Sequence, residues 1–97
     1  MEIEIFEPGK YDDAQEYVHK LQNGTAVILK YDFIDSAIVR MIHDFMIGCI
    51  YALDGSVYMV GDNVVLYAPK NFLVEDRSLR KNIPGEVKTI FYSDFGK

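Results

Sequence analysis

The side chains of this chain that could do chemistry are few: His19, His43, one cysteine at Cys49, and scattered serines and carboxylates. His43-Asp44 has the composition of an acid–base pair. The pair falls within helical spacing, however, and adjacent helical residues point about a hundred degrees apart and do not face each other. It reads as two solvated polar residues opposite an apolar stripe. His19 lies beside Lys20 with no companion at ligand spacing, so one cysteine and two separated histidines make no zinc pattern. Ser36, Ser56, Ser78 and Ser93 sit at caps, strand starts or the tail, without the base or oxyanion hole a nucleophile needs. The glycines form no phosphate-cradling cluster, and Asp12-Asp13 and Glu75-Asp76 read as helix-start and surface charges. No catalytic residue, cofactor or metal is expected, and the chain reads as a non-enzyme.

The elements that would position these residues are organised around Asp35–Pro69. Ile38, Met41, Ile42, Phe45, Cys49 and Ala52 recur at steps of three and four, with Arg40, His43 and Asp44 between them. This spacing predicts a helix from an Asp35 N-cap to about Leu53, roughly 28 Å long, ended by Gly55 in the left-handed conformation. A glycine inside a helix costs about 1 kcal/mol relative to alanine. Gly48, with Ala52 four residues on, therefore reads either as a smooth strip on which another backbone lies, or as the helix end with a strand at Cys49–Leu53. Beyond Gly55, Ser56–Val60 and Val64–Ala68 are apolar runs joined by Gly61-Asp62-Asn63, which is hairpin chemistry. Both strands, Val65 and Tyr67 included, are apolar on both faces, so the sheet should be covered on two sides.

Upstream, Glu2–Phe6 alternates acidic and apolar residues, as suits an edge strand. Lys10–Gln22 reads as a helix with Tyr11, Ala14, Tyr17, Val18 and Leu21 on one side, stopped at Asn23-Gly24. Thr25–Tyr31 is nearly continuous in β-branched and aliphatic residues, as a central strand should be, and the strand–helix–strand order implies parallel pairing. Phe72-Leu73-Val74 reads as one more short strand, Glu75–Asn82 as charged with a helical turn around Leu79, and Glu86–Tyr92 as a C-terminal strand. The expected fold is an α/β two-layer sandwich. Two helices pack on a five- to six-stranded mixed sheet in the order β-α-β-α-β-β-β plus a C-terminal strand.

Composition bounds what such a domain does. Half the residues are hydrophobic (49%) and 26% are charged, which fits one globular domain over residues 1–97, with the tail at 76–97 read as an extension. The formal charge of -5 disfavours nucleic acid, because no basic field is present to displace counterions. The lone Cys49 forms no internal disulfide, and its apolar setting suggests a packed thiol in a reducing compartment. No long apolar run or basic signal-like start is present, so a soluble cytoplasmic protein is expected. Two amphipathic helices cover one face of the sheet. The other face must be met by the tail or by a second copy, and a two-fold homodimer is the preferred reading. Seven Tyr and six Phe exceed what so thin a core needs, which again suits a surface buried by a partner, although some will be core residues with hydroxyls reaching water.

The central stretch resembles the SepF family of cell-division proteins. The matching residues are Arg40, Asp44-Phe45, Gly48, Tyr51-Ala52-Leu53, Gly55, Gly61 and Ala68-Pro69 with an apolar segment after it, and the run DFxxGxxYALxGSVYxVG is the most specific part. The likeness covers about residues 2–75, and the tail lies outside it. It implies a non-enzymatic adaptor that dimerises, assembles further into rings or filaments, and binds the C-terminal peptide of the tubulin-like division GTPase FtsZ at the division site, near the inner face of the membrane. The family's anchor is an N-terminal amphipathic helix and linker. This sequence departs there, starting almost directly with the first strand, so membrane attachment would need an anchor elsewhere. Carried over by position, Arg40, Asp44 and Phe45 are the expected peptide-binding residues: Arg40 offers a fork of donors and Phe45 an apolar anchor that is also on the predicted core stripe. Gly48, Ala52, Gly61, Val65 and Tyr67 are the expected dimer or assembly residues. The alternative reading is a small dimeric regulatory domain binding a metabolite between subunits, for which the glycine-rich loops and convergent polar groups are missing from the sequence.

Overall fold

The nearly unbroken apolar run Ala26-Val27-Ile28-Leu29 makes Ala26–Lys30 an interior strand, and the sheet assembles around it. A computed structural model describes residues 2–75. In chain order it contains β1 (Ile3–Phe6), a 3₁₀ turn (Tyr11–Asp13), α1 (Ala14–Gln22), β2 (Ala26–Lys30), α2 (Ser36–Ala52), β3 (Ser56–Gly61) and β4 (Val64–Ala68). The sheet order is β1-β2-β4-β3, with β1 parallel to β2 and the other two pairings antiparallel. The α/β fold with two helices on a mixed sheet agrees with the sequence reading. Among the described residues the sheet has four strands, not five or six, and Phe72–Val74 is irregular. The predicted turn near Leu79 and strand over Glu86–Tyr92 lie outside the described residues.

Register decides which side chains share a face. Val27, Tyr67 and Val57 align across the sheet, as do Leu29, Val65 and Met59, and these rows meet the helices. The main core joins them to Ala14, Tyr17 and Leu21 of α1 and Val39, Ile42, Met46 and Ile50 of α2. On the opposite face one row runs Ile5, Ile28, Leu66, Tyr58 across all four strands. Phe72 and Val74 pack under its β3–β4 end, so part of this face is covered by the chain's own turn back at Pro69. At the β1 end Ile5 is 63% exposed and Ile3 50%. The alternation expected in β1 is present, but its acidic side faces inward. Glu4 lies on the helix face, where its carboxylate is 3.0 Å from Lys20 Nζ of α1, and Phe6 packs on Tyr17 at 4.7 Å between ring centres.

Both helices end in the same motif. Thr25 N–H donates to the Lys20 carbonyl and Gly24 N–H to that of Leu21, with Gly24 at φ 88°, which is the Asn23-Gly24 stop the sequence predicts. At the end of α2, Gly55 N–H donates to Ile50 and Asp54 N–H to Tyr51. Here the left-handed residue is Asp54 (φ 57°) and not Gly55, which corrects the sequence reading. Gly55 is required for space: a Cβ there would meet the Ala68 carbonyl and Ile50 Cδ1. Gly48 does not end α2, and Asp35 occupies the N-cap without a side-chain cap hydrogen bond.

The face α2 presents to the sheet also differs from the predicted stripe. Val39, Ile42, His43, Met46 and Ile50 are buried, whereas Met41 is 48% exposed and Ala52 is on the surface. This is a rotation of roughly one residue, about 100°. His43, expected in solvent, is 2% exposed.

Candidate functional site

The outer side of α2 is where the expected binding residues meet. A helix turns about 100° per residue, so Ala37, Met41, Asp44, Gly48, Tyr51 and Ala52 form one exposed strip, with Arg40 at its edge. Arg40 and Asp44, four apart, lie on the same row. Phe45 points about 140° from Arg40, down the flank facing the 3₁₀ turn, where its ring meets Tyr11 edge-on at 6.0 Å. It is half-buried and packs at the edge of the core. The structure thus places Arg40 and Asp44 on one row and Phe45 across the strip on its opposite flank, not at one point. That arrangement suits an extended segment lying across the helix better than a small molecule in a pocket.

Gly48 sits in the middle of this strip, and a Cβ there would meet nothing within 4 Å, so the smoothness of the helix is turned outward. Gly61 is exposed at the end of β3, where the hairpin turns through Asp62 and Asn63, the latter at φ 58°. Val65 and Tyr67 are placed differently from the sequence expectation. Both are fully buried on the helix-facing side of β4 and offer no surface to a partner. On the hairpin's second face Tyr58, Leu66 and Ala68 are buried against Phe72 and Val74, whereas Val60 is 51% exposed.

Sequence reasoning missed the core's polar line. Tyr67 Oη lies 2.7 Å from His43 Nδ1 and 2.7 Å from Tyr31 Oη, all within the core. Burial holds the His43 imidazole down to about 4, against the opposing pull of Asp44's charge, so it is neutral at pH 7. Burial pushes Tyr31 and Tyr67 well above the usual phenol range and raises the Cys49 thiol, leaving it un-ionised and poorly nucleophilic. The signal that could have found His43 was its spacing: Val39, His43, Met46 and Ile50 are themselves a four-three-four series.

A shallow cleft of about 550 Å³ opens beside the β3 end of the second face, between Asp54, Ser56 and Tyr58 and the Pro69–Val74 segment. Among the described residues no group of three or more His, Cys, Asp or Glu side chains is placed to hold a metal ion, and no helix is long and apolar enough to cross a membrane.

Comparison with known proteins agrees with this fold. The family model for cell division protein SepF matches residues 3–74. The chain is similar to the cell division protein SepF of Lactiplantibacillus plantarum, at 36% identity over 72 residues, covering 74% of this chain and 51% of the relative. It is similar to that of Lacticaseibacillus casei at 36% over 84 residues, covering 87% and 55%. The chain thus spans about half the length of these curated relatives. In fold it is similar to a SepF-like protein from Archaeoglobus fulgidus, with a TM-score of 0.69 at 15% identity, covering 84% of this chain and all of that one. The chain belongs to the cell division protein SepF family.

Proposed function

We propose that this protein is a non-enzymatic division adaptor that pairs with a second copy, assembles further, and holds the C-terminal peptide of an FtsZ-like GTPase at the division site, on the cytoplasmic side of the membrane. One observation carries the reading: in a chain of the SepF family, α2 turns outward a strip with Arg40 and Asp44 on one row, Phe45 at its flank, and the small residues Gly48 and Ala52 beside an exposed Tyr51 between them. Arg40 supplies a fork of donors to peptide carbonyls or carboxylates, and an apolar side chain packs on the accessible edge of the Phe45–Tyr11 ring pair. Self-association draws on two exposed surfaces, the Gly48–Ala52 strip and the Ile3–Ile5 end of the second sheet face, with Gly61 at the hairpin for higher assembly. Any membrane attachment is supplied by a segment other than residues 2–75.

Titration with the GTPase tail peptide, with light scattering to follow mass, tests the reading. Arg40→Glu should weaken binding at least tenfold with an unchanged fold, the scale of a charge-assisted contact. Unchanged affinity removes Arg40 from the site. If the peptide fails to bind and a metabolite raises the melting temperature instead, the regulatory-domain reading replaces this one.

A further inference from the structure

Packing alone does not tell α2 which face to bury. Ile38, Met41, Phe45, Cys49 and Ala52 make one apolar row, and Val39, Ile42, Met46 and Ile50 make another, displaced by about one residue. Both rows are apolar, Ile38 and Phe45 of the first already pack half-buried at the edge of the core, and the hydrophobic effect is not directional. The structure buries the second row. What distinguishes the two is His43, which belongs to the second row alone. It reaches Tyr67 of β4 at 2.7 Å, and Tyr67 reaches Tyr31 of β2 at 2.7 Å. Hydrogen bonds are short and angle-dependent, so this line accepts one roll of the helix and rejects its neighbour. Buried polar groups act in this way in coiled coils, where they select register at some expense in stability.

We propose that the His43–Tyr67–Tyr31 line is a registry pin that selects which face of α2 meets the sheet, and that a positive charge on the buried His43 ring favours the roll that returns it to water. The inference stands apart from any peptide or partner. The groups around the imidazole are Asp44 on its own helix, Tyr67 of β4, Tyr31 of β2 and, behind Tyr31, Tyr17 of α1. Charging His43 in this core is opposed by burial and assisted by Asp44. A roll of one residue carries the charged ring toward solvent and puts Met41, Phe45 and Ala52 against the sheet. With the pin engaged, Gly48 and Ala52 face outward and Met46 is sealed in.

Two methionines report the roll, because Met41 is half-exposed and Met46 fully buried. The experiment is methyl-labelled methionine NMR with a soluble paramagnetic probe that attenuates exposed methyls. In the wild type at pH 7, Met41 should be attenuated and Met46 protected. Tyr67→Phe keeps the ring and removes the hydroxyl. It should raise by about tenfold the population of a second set of signals in which Met46 is attenuated and Met41 protected, the scale of a lost hydrogen bond. Tyr31→Phe should raise it less, since Tyr67 keeps His43. Lowering the wild type toward pH 4.5 should bring in the same second set. The proposal is overturned if Tyr67→Phe folds with one set of signals in the wild-type order. It is equally overturned if the wild type, still folded, keeps Met46 protected throughout the acid titration, and that arm decides the matter should the variant fail to fold.

Discussion

Gly55→Ala tests the account of how α2 hands the chain to the sheet. Gly55 has an ordinary backbone conformation, and only the residue before it is left-handed. By conformation alone, alanine should therefore be tolerated and even favoured by about 0.4–1 kcal/mol through the unfolded chain. The structure argues the reverse. The added Cβ would press on the Ala68 carbonyl and Ile50 Cδ1. Ala68 pairs with Ser56 in the hairpin ladder, and Ile50 is fully buried, so neither neighbour has room to retreat. Overpacking of this kind costs about 1–3 kcal/mol. Against the entropic gain, a net loss of about 1–2 kcal/mol is expected, lowering the melting temperature by roughly 4–16 °C for a domain of this size. Asp54→Gly relieves the left-handed residue but frees the unfolded chain, and should stay within about 0.5 kcal/mol of wild type. Urea melts of both variants, followed by circular dichroism, decide the matter. Gly55→Ala as stable as wild type, or Asp54→Gly as damaged as Gly55→Ala, would refute the close-approach argument.

Acid should weaken the fold through His43. Its folded pKa of about 4 lies below the ordinary 6.5, so the unfolded chain binds the proton first and stability falls as pH drops from about 6.5 toward 4, by up to about 3 kcal/mol; urea midpoints across that window should show the loss. Ile42→Ala, at a fully buried position between the helix and the sheet, should cost about 2–5 kcal/mol in the same melts. Gly61→Lys meets only ordinary contacts with Val64, so stability should stay within about 0.5 kcal/mol while assemblies seen by electron microscopy diminish; intact assemblies would remove the hairpin from the interface.

Much of this architecture is legible in the residues. The Asn23-Gly24 stop, the β2 run and the hairpin around Asp62-Asn63 are local chemistry, and each appears where its residues predict it. What was not legible depends on neighbours distant in sequence. The alternation of β1 tells that its two sides differ. It does not tell that Glu4 is the inner side, because that requires Lys20 of α1 to be overhead. Gly55 signals a helix end, but whether through its own φ or the nearness of Ala68 is visible only once β4 is in place. His43 was read as solvated because a helix apolar nearly all round offers two stripes, and the choice is made by tyrosines on other elements. Spacing places Arg40, Asp44 and Phe45 on α2 and the resemblance gives them their expected role; that Phe45 lies across the strip from the other two follows only from the observed roll of the helix.

The middle of the sheet is the last of its four strands to leave the ribosome. β4 bridges β2 and β3, so a nascent chain stopped short of Val64 holds the β1–β2 pair, both helices and β3, with nothing to join β3 to the sheet. Cooperative folding must wait for that final segment, and a deletion there removes a keystone where a deletion at β1 would only trim a margin.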